Sequence, residues 1–336
     1  MEMYVARLCD GYVVKRMPDT GSNHAPDCPS FEPPAELSGL AHSLGSAITE
    51  DPTTGEASLR LDFPLSKARK SAPPLQRAET DGGSATAGTR RLSLRGLLHY
   101  LWDQADLTQW KPSFAGKRSW AAVRQRLLRA AEQKVTGSGP LLARLYVPES
   151  FAVDQIDAIN FRRRERWAAA EARPGGAQPL LLLIAEAKGI VPTHRGYKAV
   201  IKHVPDLGFA IEDSLYRAMG RTFGRELEVW CGAHDVLMVI GATFWLTAGG
   251  VPRISSLCLM PVTRQWLPVE TILEQQLVER LVREQRAFRK LLRYDLGHSA
   301  KLASAVITDV GPPMPTVFAD GTDIQMTPSP SGSCSP

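Results

Sequence analysis

Apolar positions along the chain recur with two different spacings, and the change from one to the other divides it. Near the start, Met3–Leu8 and Tyr12–Met17 are short β-prone runs, and Asp10-Gly11 between them suits a hairpin turn because glycine tolerates positive φ. Pro18-Asp19-Thr20-Gly21 turns the chain again, and Ala57–Phe63 alternates as a strand does. Residues 1–65 therefore read as a β-rich segment. From 66 to 90 apolar periodicity disappears into Lys, Ser, Pro, Gly, Ala and Thr, the composition of a flexible linker.

Helical spacing takes over at residue 91. Leu94, Leu97, Leu98, Leu101, Trp102 and Ala105 share one face, and Ser119 caps a second helix whose buried stripe is Trp120, Val123, Leu127 and Ala131. Gly137-Ser-Gly-Pro140 stops it, so 91–150 reads as a helical module. An α/β pattern follows over 154–319. It contains a charged helix through Arg162–Trp167 and the unbroken apolar strand Leu180–Ile184. A strand at Tyr197–Val204 and a helix at Glu212–Phe223 come next. Val236–Leu246 and Ile254–Val262 read as adjacent strands joined through Gly249-Gly250. One long helix is expected over Val269–Leu292, with Arg286, Arg289, Lys290 and Arg293 at its C-terminal end, where cations suit the helix dipole. Short strands at Ala303–Thr308 and Pro315–Ala319 close the domain, and 320–336 has the composition of a disordered tail. The expected fold class is mixed α/β or α+β: a β-rich N-terminal segment, a helical module and a C-terminal α/β domain.

Composition adds limits rather than a function. The 336 residues are 43% hydrophobic, enough for a core, and the net charge of +5 permits contact with a polyanion without requiring it. Five cysteines without paired spacing point to a reducing compartment, so the cytoplasm is the expected location. The start carries no signal-peptide pattern, and the longest apolar run, Val236–Leu246, falls short of the roughly 20 residues that span a bilayer. Phosphate-loop, dinucleotide and nucleophile-elbow patterns are absent, and no small-molecule cofactor is evident.

Three constellations carry candidate chemistry. His24-x-x-x-Cys28 offers an imidazole and a thiolate that suit zinc, with Cys9 as a third ligand and Asp27 or His42 as a fourth; the plain alternative is a loop histidine beside a free cysteine. Arg118, Arg124, Arg126 and Arg129 make the second helix basic, as in a helix-turn-helix or winged module whose second helix lies against DNA phosphates, or else they are simply a solvated face. Glu186-Ala-Lys188 places two charges on one face of a strand, the arrangement of Mg²⁺-dependent nucleases of the restriction-endonuclease type, with Asp157 or Asp309 as the partner acid; a strand-end salt bridge looks the same. The histidines His99, His194, His203, His234 and His298 have no ligand spacing, and the tryptophans sit mostly in apolar patterns, so both sets read as structural.

Several strings, Lys15-Arg-Met-Pro-Asp-Thr-Gly21, His24-Ala-Pro-Asp-Cys-Pro-Ser30, Leu94-Arg-Gly-Leu-Leu-His-Tyr-Leu-Trp102, Gly116-Lys-Arg-Ser-Trp120 and Leu292-Arg-Tyr294, resemble the bacterial domain of unknown function 1173 family. The resemblance implies a setting on plasmids and integrative conjugative elements of proteobacteria and brings no activity with it. It also implies a cysteine pair upstream of the segment that begins here at Met1, which would complete a zinc set with His24 and Cys28. The expected function is a non-catalytic accessory protein of a mobile genetic element that contacts DNA or a protein of the same element, with possible zinc. The alternatives are a nuclease built on Glu186 and Lys188, or a structural partner in an assembly.

Overall fold

The computed structural model describes residues 3–8, 11–17, 20–25, 28, 31–51, 54–67, 90–170, 177–233, 235–311, 314–319 and 326–328. Strands β1 (Met3–Leu8) and β2 (Gly11–Arg16) form the expected antiparallel hairpin, in register from Met3↔Arg16 to Leu8↔Gly11. One face of this ribbon is open to solvent, with Val5, Tyr12 and Val14 all more than half exposed. Strands β3 (Ile48–Glu50) and β4 (Ala57–Leu59) then join β7 (Lys134–Thr136) and β8 (Gly139–Pro140) in a sheet of order β3-β4-β7-β8. The β4–β7 pairing is parallel and ties the N-terminal segment to the helices.

Helix α1 (Leu94–Gln104) starts where expected. The Ser93 hydroxyl accepts from the Gly96 N–H at 3.0 Å, and Leu97, Leu98, Leu101 and Trp102 are buried. Helix α2 (Trp120–Ala131) is capped the same way by Ser119. Its Trp120 Nε1–H donates to the Pro148 carbonyl at 2.8 Å. Helix α3 (Leu141–Arg144) is a single turn before β9 (Leu145–Tyr146), and α4 (Ile156–Trp167) covers the charged stretch.

The centre of the molecule is a small barrel. Strand β11 (Leu181–Thr193) pairs antiparallel with β14 (Val236–Leu246) over Leu181–Ala187. From Ala187↔Ile201 to Thr193↔Gly196 it pairs antiparallel with β12 (Gly196–Ile201), with a register shift between Ala187 and Gly189. Strand β12 pairs with β13 (Gly208–Ile211), β13 meets β15 (Pro252–Thr263) in parallel through Ala210↔Arg253, and β15 returns antiparallel to β14. The ring is thus β11-β12-β13-β15-β14-β11, with β9 added in parallel beside Leu182 and Leu183. Helices α5 (Asp213–Thr222) and α6 (Gly224–Gly232) connect β13 to β14. A five-stranded Greek-key barrel with this order, a parallel third and fifth strand and a helical link between the third and fourth strands has the topology of the OB-fold.

Inside the barrel lie Ala199, Ile201, Phe209, Ile211, Phe244 and Ile254, all buried. Trp167 of α4 closes one end, with its ring 5.4 Å from Phe244, 5.8 Å from Phe209 and 5.3 Å from Tyr146, each edge to face. Leu98 of α1 covers the other side of β14 at Gly241.

A further sheet has the order β19-β18-β17-β16-β6, from β6 (Gln109–Trp110), β16 (Phe288–Lys290), β17 (Ala305–Ile307), β18 (Pro315–Val317) and β19 (Met326–Pro328). A two-stranded pairing of β5 (Ser66–Lys67) with β10 (Gln178–Pro179) completes the strands.

The single helix expected over Val269–Leu292 is instead helix α7 (Ile272–Arg283) followed by strand β16. Thr271 caps α7 by accepting from the Glu274 N–H at 3.1 Å, and Gln285 ends it in the left-handed region at φ 55°. Phe288 and Leu291, counted as the end of the helix stripe, are buried as part of the sheet region because β16 is its interior strand between β17 and β6. The helical module is also knit into the rest: β9 joins the barrel, β6 joins the C-terminal sheet, and α1 shares one core with the barrel strands. Of the expected linker 66–90, Ser66–Lys67 instead form strand β5 and 68–89 lie outside the described residues, as does Asp10; in the tail expected to be disordered, Met326–Pro328 form strand β19 and the rest of 320–336 lies outside the described residues.

A Cβ on Gly241 would sit 2.8 Å from Cys258 Sγ and 3.4 Å from Leu98 Cδ2. Gly241→Ala is therefore expected to destabilise the protein by roughly 1–3 kcal/mol through overpacking. Adding Cys258→Ala should recover part of that loss, as read by urea denaturation of the two single variants and the double variant.

Candidate nucleic-acid interface

Closing a barrel turns every second residue of a strand outward. In β12 this leaves Lys198 and Val200 outside while Ala199 and Ile201 point in. Register then carries Lys198 sideways around the ring. Val191 of β11 pairs with Lys198, Lys198 with Ala210 of β13, Ala210 with Arg253 of β15, and Arg253 with Trp245 of β14. Paired residues share a face, so these five side chains form one line across the outer surface. Four strand-to-strand steps of about 4.8 Å make the line about 19 Å long.

Its floor is low in the middle. Beside Ala210 lies Gly208, and the Lys198 stem runs across it closely enough that a Cβ there would sit 2.6 Å from Lys198 Cδ. At the far end the Lys67 ammonium stands 4.9 Å and the Arg253 guanidinium 5.8 Å from the Trp245 ring centre. Arg253 also donates to Glu212 Oε1 at 3.0 Å, an exposed pair worth little in stability. Two hairpin loops flank the line. The β11–β12 turn carries the exposed His194 and Arg195 and needs the positive φ of Gly196 (101°), where a Cβ would strike the Ile211 carbonyl. The β14–β15 loop, Thr247–Val251, adjoins the start of β15 next to the same end of β13. The site can therefore offer cations, an aromatic ring and two rims to an extended ligand.

The residues singled out from sequence fall elsewhere. His24 and Cys28 do meet, with Nδ1 3.6 Å from Sγ, and His24 is buried with Nε2 unpartnered. Zn–S near 2.3 Å and Zn–N near 2.0 Å at a tetrahedral angle put the two donors roughly 3.5 Å apart, so the pair fits one zinc ion. Cys9 and Asp27 lie outside the described residues, and among the described residues no group of three metal-binding side chains forms.

Arg118 does not face solvent as a phosphate contact would. It donates to the carbonyls of Leu107 (3.0 Å), Gln265 (3.1 Å) and Gln109, lies over the Trp110 and Phe114 rings, and is pushed down to about 10 by burial. Arg124 Nε donates to the Val147 carbonyl at 3.0 Å. Arg126 and Arg129 are exposed, Arg126 within 3.3 Å of the Ala105 carbonyl. The segment between α1 and α2 contains β6, so the pair is not a helix-turn-helix.

Glu186 is buried, and the Lys202 ammonium donates to both its oxygens at 2.8 and 2.9 Å. His203 Nε2 stands 4.0 Å from the same carboxylate, but burial first, then Lys202 and Lys188, push this histidine down to about 4, so it is a neutral neighbour rather than an ion partner. Lys188 is exposed at the register shift of β11. Asp157 lies exposed on α4, and Asp309 is held by Arg286 at 2.7 and 2.8 Å near the C-terminal sheet. Neither acid joins Glu186 in a metal-binding group among the described residues. The nuclease constellation is thus a strand-end ion pair with a different lysine.

Trp245, read from sequence as core, is partly exposed on the outer face. Lys198 and Arg253 were not singled out. Alternation through Tyr197–Val204 is the signal that marks Lys198 as outward; the Arg253–Trp245 pairing is a long-range register that no local pattern encodes.

The family described as "Protein of unknown function (DUF1173)" matches residues 1–326. The chain belongs to the DUF1173 family. Neither the curated proteins nor the solved structures contain a match to it. Among the described residues no helix is long and apolar enough to cross a membrane.

Arg118 is expected to act in folding. Arg118→Met should lower stability by roughly 2–4 kcal/mol, since three carbonyls lose a charged donor. Arg126→Gln and Arg129→Gln should stay within about 0.5 kcal/mol of the parent. Thermal denaturation of the three variants checks this, and equal losses at all three would refute it.

Proposed function

We propose that this DUF1173 protein is a non-catalytic, nucleic-acid-binding accessory protein, acting in the bacterial cytoplasm within the machinery of a mobile genetic element. The observation that carries the reading is the outward line on the barrel, in which Lys198 and Arg253 are held two strands apart with Arg195 on the adjoining turn. Cations fixed on a rigid sheet meet phosphates without first ordering a loop, and counterion release makes such binding favourable for any sequence. The net charge of +5 agrees in sign. A fold can host unrelated functions, so the argument rests on these residues rather than on the barrel alone. The ion pair of Glu186 with Lys202 favours binding over cleavage.

A second reading, contact with a partner protein, has one observation in its favour: the exposed face of Val5, Tyr12 and Val14 on the N-terminal hairpin.

Fluorescence anisotropy with labelled oligonucleotides between 50 and 200 mM salt tests the proposal. The affinity should fall steeply with salt and need no divalent metal. Lys198→Gln and Arg253→Gln should each weaken binding to all sequences alike and reduce the salt slope by about 1. Salt-independent binding, or a slope unchanged by both substitutions, would refute it.

A further inference from the structure

Granted that the barrel face binds nucleic acid, we infer that its ligand is a single strand and that Trp245 stacks one of the bases. Trp245 stands on the outside of a barrel whose interior is filled by Phe209, Phe244 and Trp167, so it is not needed for closure. The Lys67 ammonium and the Arg253 guanidinium lie over its ring. An indole kept on a solvent-facing sheet between cations presents a π-face where phosphates are also attracted.

A duplex cannot use that face. Its bases are stacked on each other, and a protein reaches only their edges and the backbone. A single strand can splay a base onto an aromatic ring while its phosphates follow a basic track. The geometry of the line suits this. Its length of about 19 Å corresponds to the lower end of the site sizes found for such barrels, roughly 4 nucleotides. Ala210 on β13 carries only a methyl group between Lys198 and Arg253, so the line is low there, while the Lys198 stem lies over the neighbouring Gly208. The β11–β12 and β14–β15 loops, which rim the line here, are the loops that flank the ligand groove in barrels of this topology.

Lys67 and Glu212 define what binding must displace. The ammonium of Lys67 lies over the ring at the end of a flexible stem and is fully able to swing onto a phosphate. Glu212 holds Arg253 at 3.0 Å and competes with phosphate for it. Removing that carboxylate should therefore free the cation for the ligand.

The test compares a 12-nucleotide single strand with its duplex on the full chain at fixed salt. The single strand should bind at least tenfold more tightly. Trp245→Ala should weaken it by about tenfold to a hundredfold, with Trp245→Phe retaining most of the affinity. Glu212→Gln should tighten binding by roughly two- to fivefold. Indole fluorescence should be quenched on binding by the parent and not to the same extent by Trp245→Phe. Circular dichroism of each variant separates loss of the ring from loss of the fold, and Trp245→Phe keeps the test decisive if the alanine variant unfolds. Duplex and single strand binding alike, with Trp245→Phe and Trp245→Ala both unchanged, would overturn the single-strand inference and leave nucleic-acid binding standing. Absence of binding to either, at 50 mM salt, would overturn both.

Discussion

Closure of the barrel depends on one strand that changes partner part-way along. The thirteen residues of β11 run beside β14 up to Ala187 and beside β12 from Ala187 onward, so that Ala187 pairs with both Met238 and Ile201. A flat strand could not carry the sheet round from β14 to β12, because closure into a ring needs the strand between them to coil. The register shift at Lys188 supplies the bend, since an extra residue on one strand increases local twist and turns the chain. Gly189 follows it, where the absence of a side chain leaves only the distant Val191 at 4.0 Å. Everything else about the barrel follows from that bend. The single Ala210↔Arg253 pair is enough to complete the ring because β11 has already brought β12 and β14 around the same interior. Once the ring is closed, one face of each strand is committed to Phe209 and Phe244, and the other face is free to carry Lys198, Arg253 and Trp245.

A second constraint ties α1 and α7 to the C-terminal sheet through buried charge. Lys290 of β16 lies almost fully buried, with its ammonium 2.9 Å from Glu274 of α7 and 2.6 Å from the Leu291 carbonyl. Arg293 donates to Glu270 at 2.7 Å and to the carbonyls of Gly297 and Ala300. On α1, His99 accepts from the Tyr294 N–H at 3.0 Å and is pushed down to about 3, chiefly by burial, so it stays neutral and serves as a fixed acceptor. Asp103, one turn on, receives Thr108 at 2.7 Å and lies 3.8 Å from Arg289. Such pairs specify one docking of α1, α7 and β16 more than they add stability, because desolvation offsets much of the attraction. This polar layer is the reason the four cations near 286–293 do not decorate a helix end.

How much of this was legible in the sequence depended on whether the signal was local. The hairpin at Asp10-Gly11, the caps at Ser93 and Ser119, and β14, whose ends fall on Val236 and Leu246 as expected, all rest on turn chemistry or periodicity within a dozen residues. The stripe from Val269 to Leu291 failed for the same kind of reason. Phe288 and Leu291 keep helical spacing, but Gln285 takes a left-handed conformation that its side chain does not announce, and β16 gains partners from residues nearly 180 positions earlier. The ties between the helical module and the rest were not legible because β6 and β9 are two residues long, too short for any alternation to appear. At the candidate sites, residue types in the right spacing were present in each case. What sequence could not supply was the partner: Lys202 rather than Lys188 for Glu186, and backbone carbonyls rather than phosphates for Arg118.

The distribution of cations then carries the functional argument further than their number does. Arg118, Arg289, Lys290 and Arg293 are held inside by carbonyls and carboxylates, so they contribute to the net charge but present little of it to solvent. The outer line keeps its cations accessible. Lys198 is exposed, and among the described residues Arg253 meets an exposed carboxylate and a ring face. A protein of mild overall charge can in this way place a concentrated positive track on one face, because a field acts over about a Debye length and responds to where charges sit rather than to their sum. The sheet makes that track rigid, Ala210 keeps its middle low, and the Trp245 ring stands at its end.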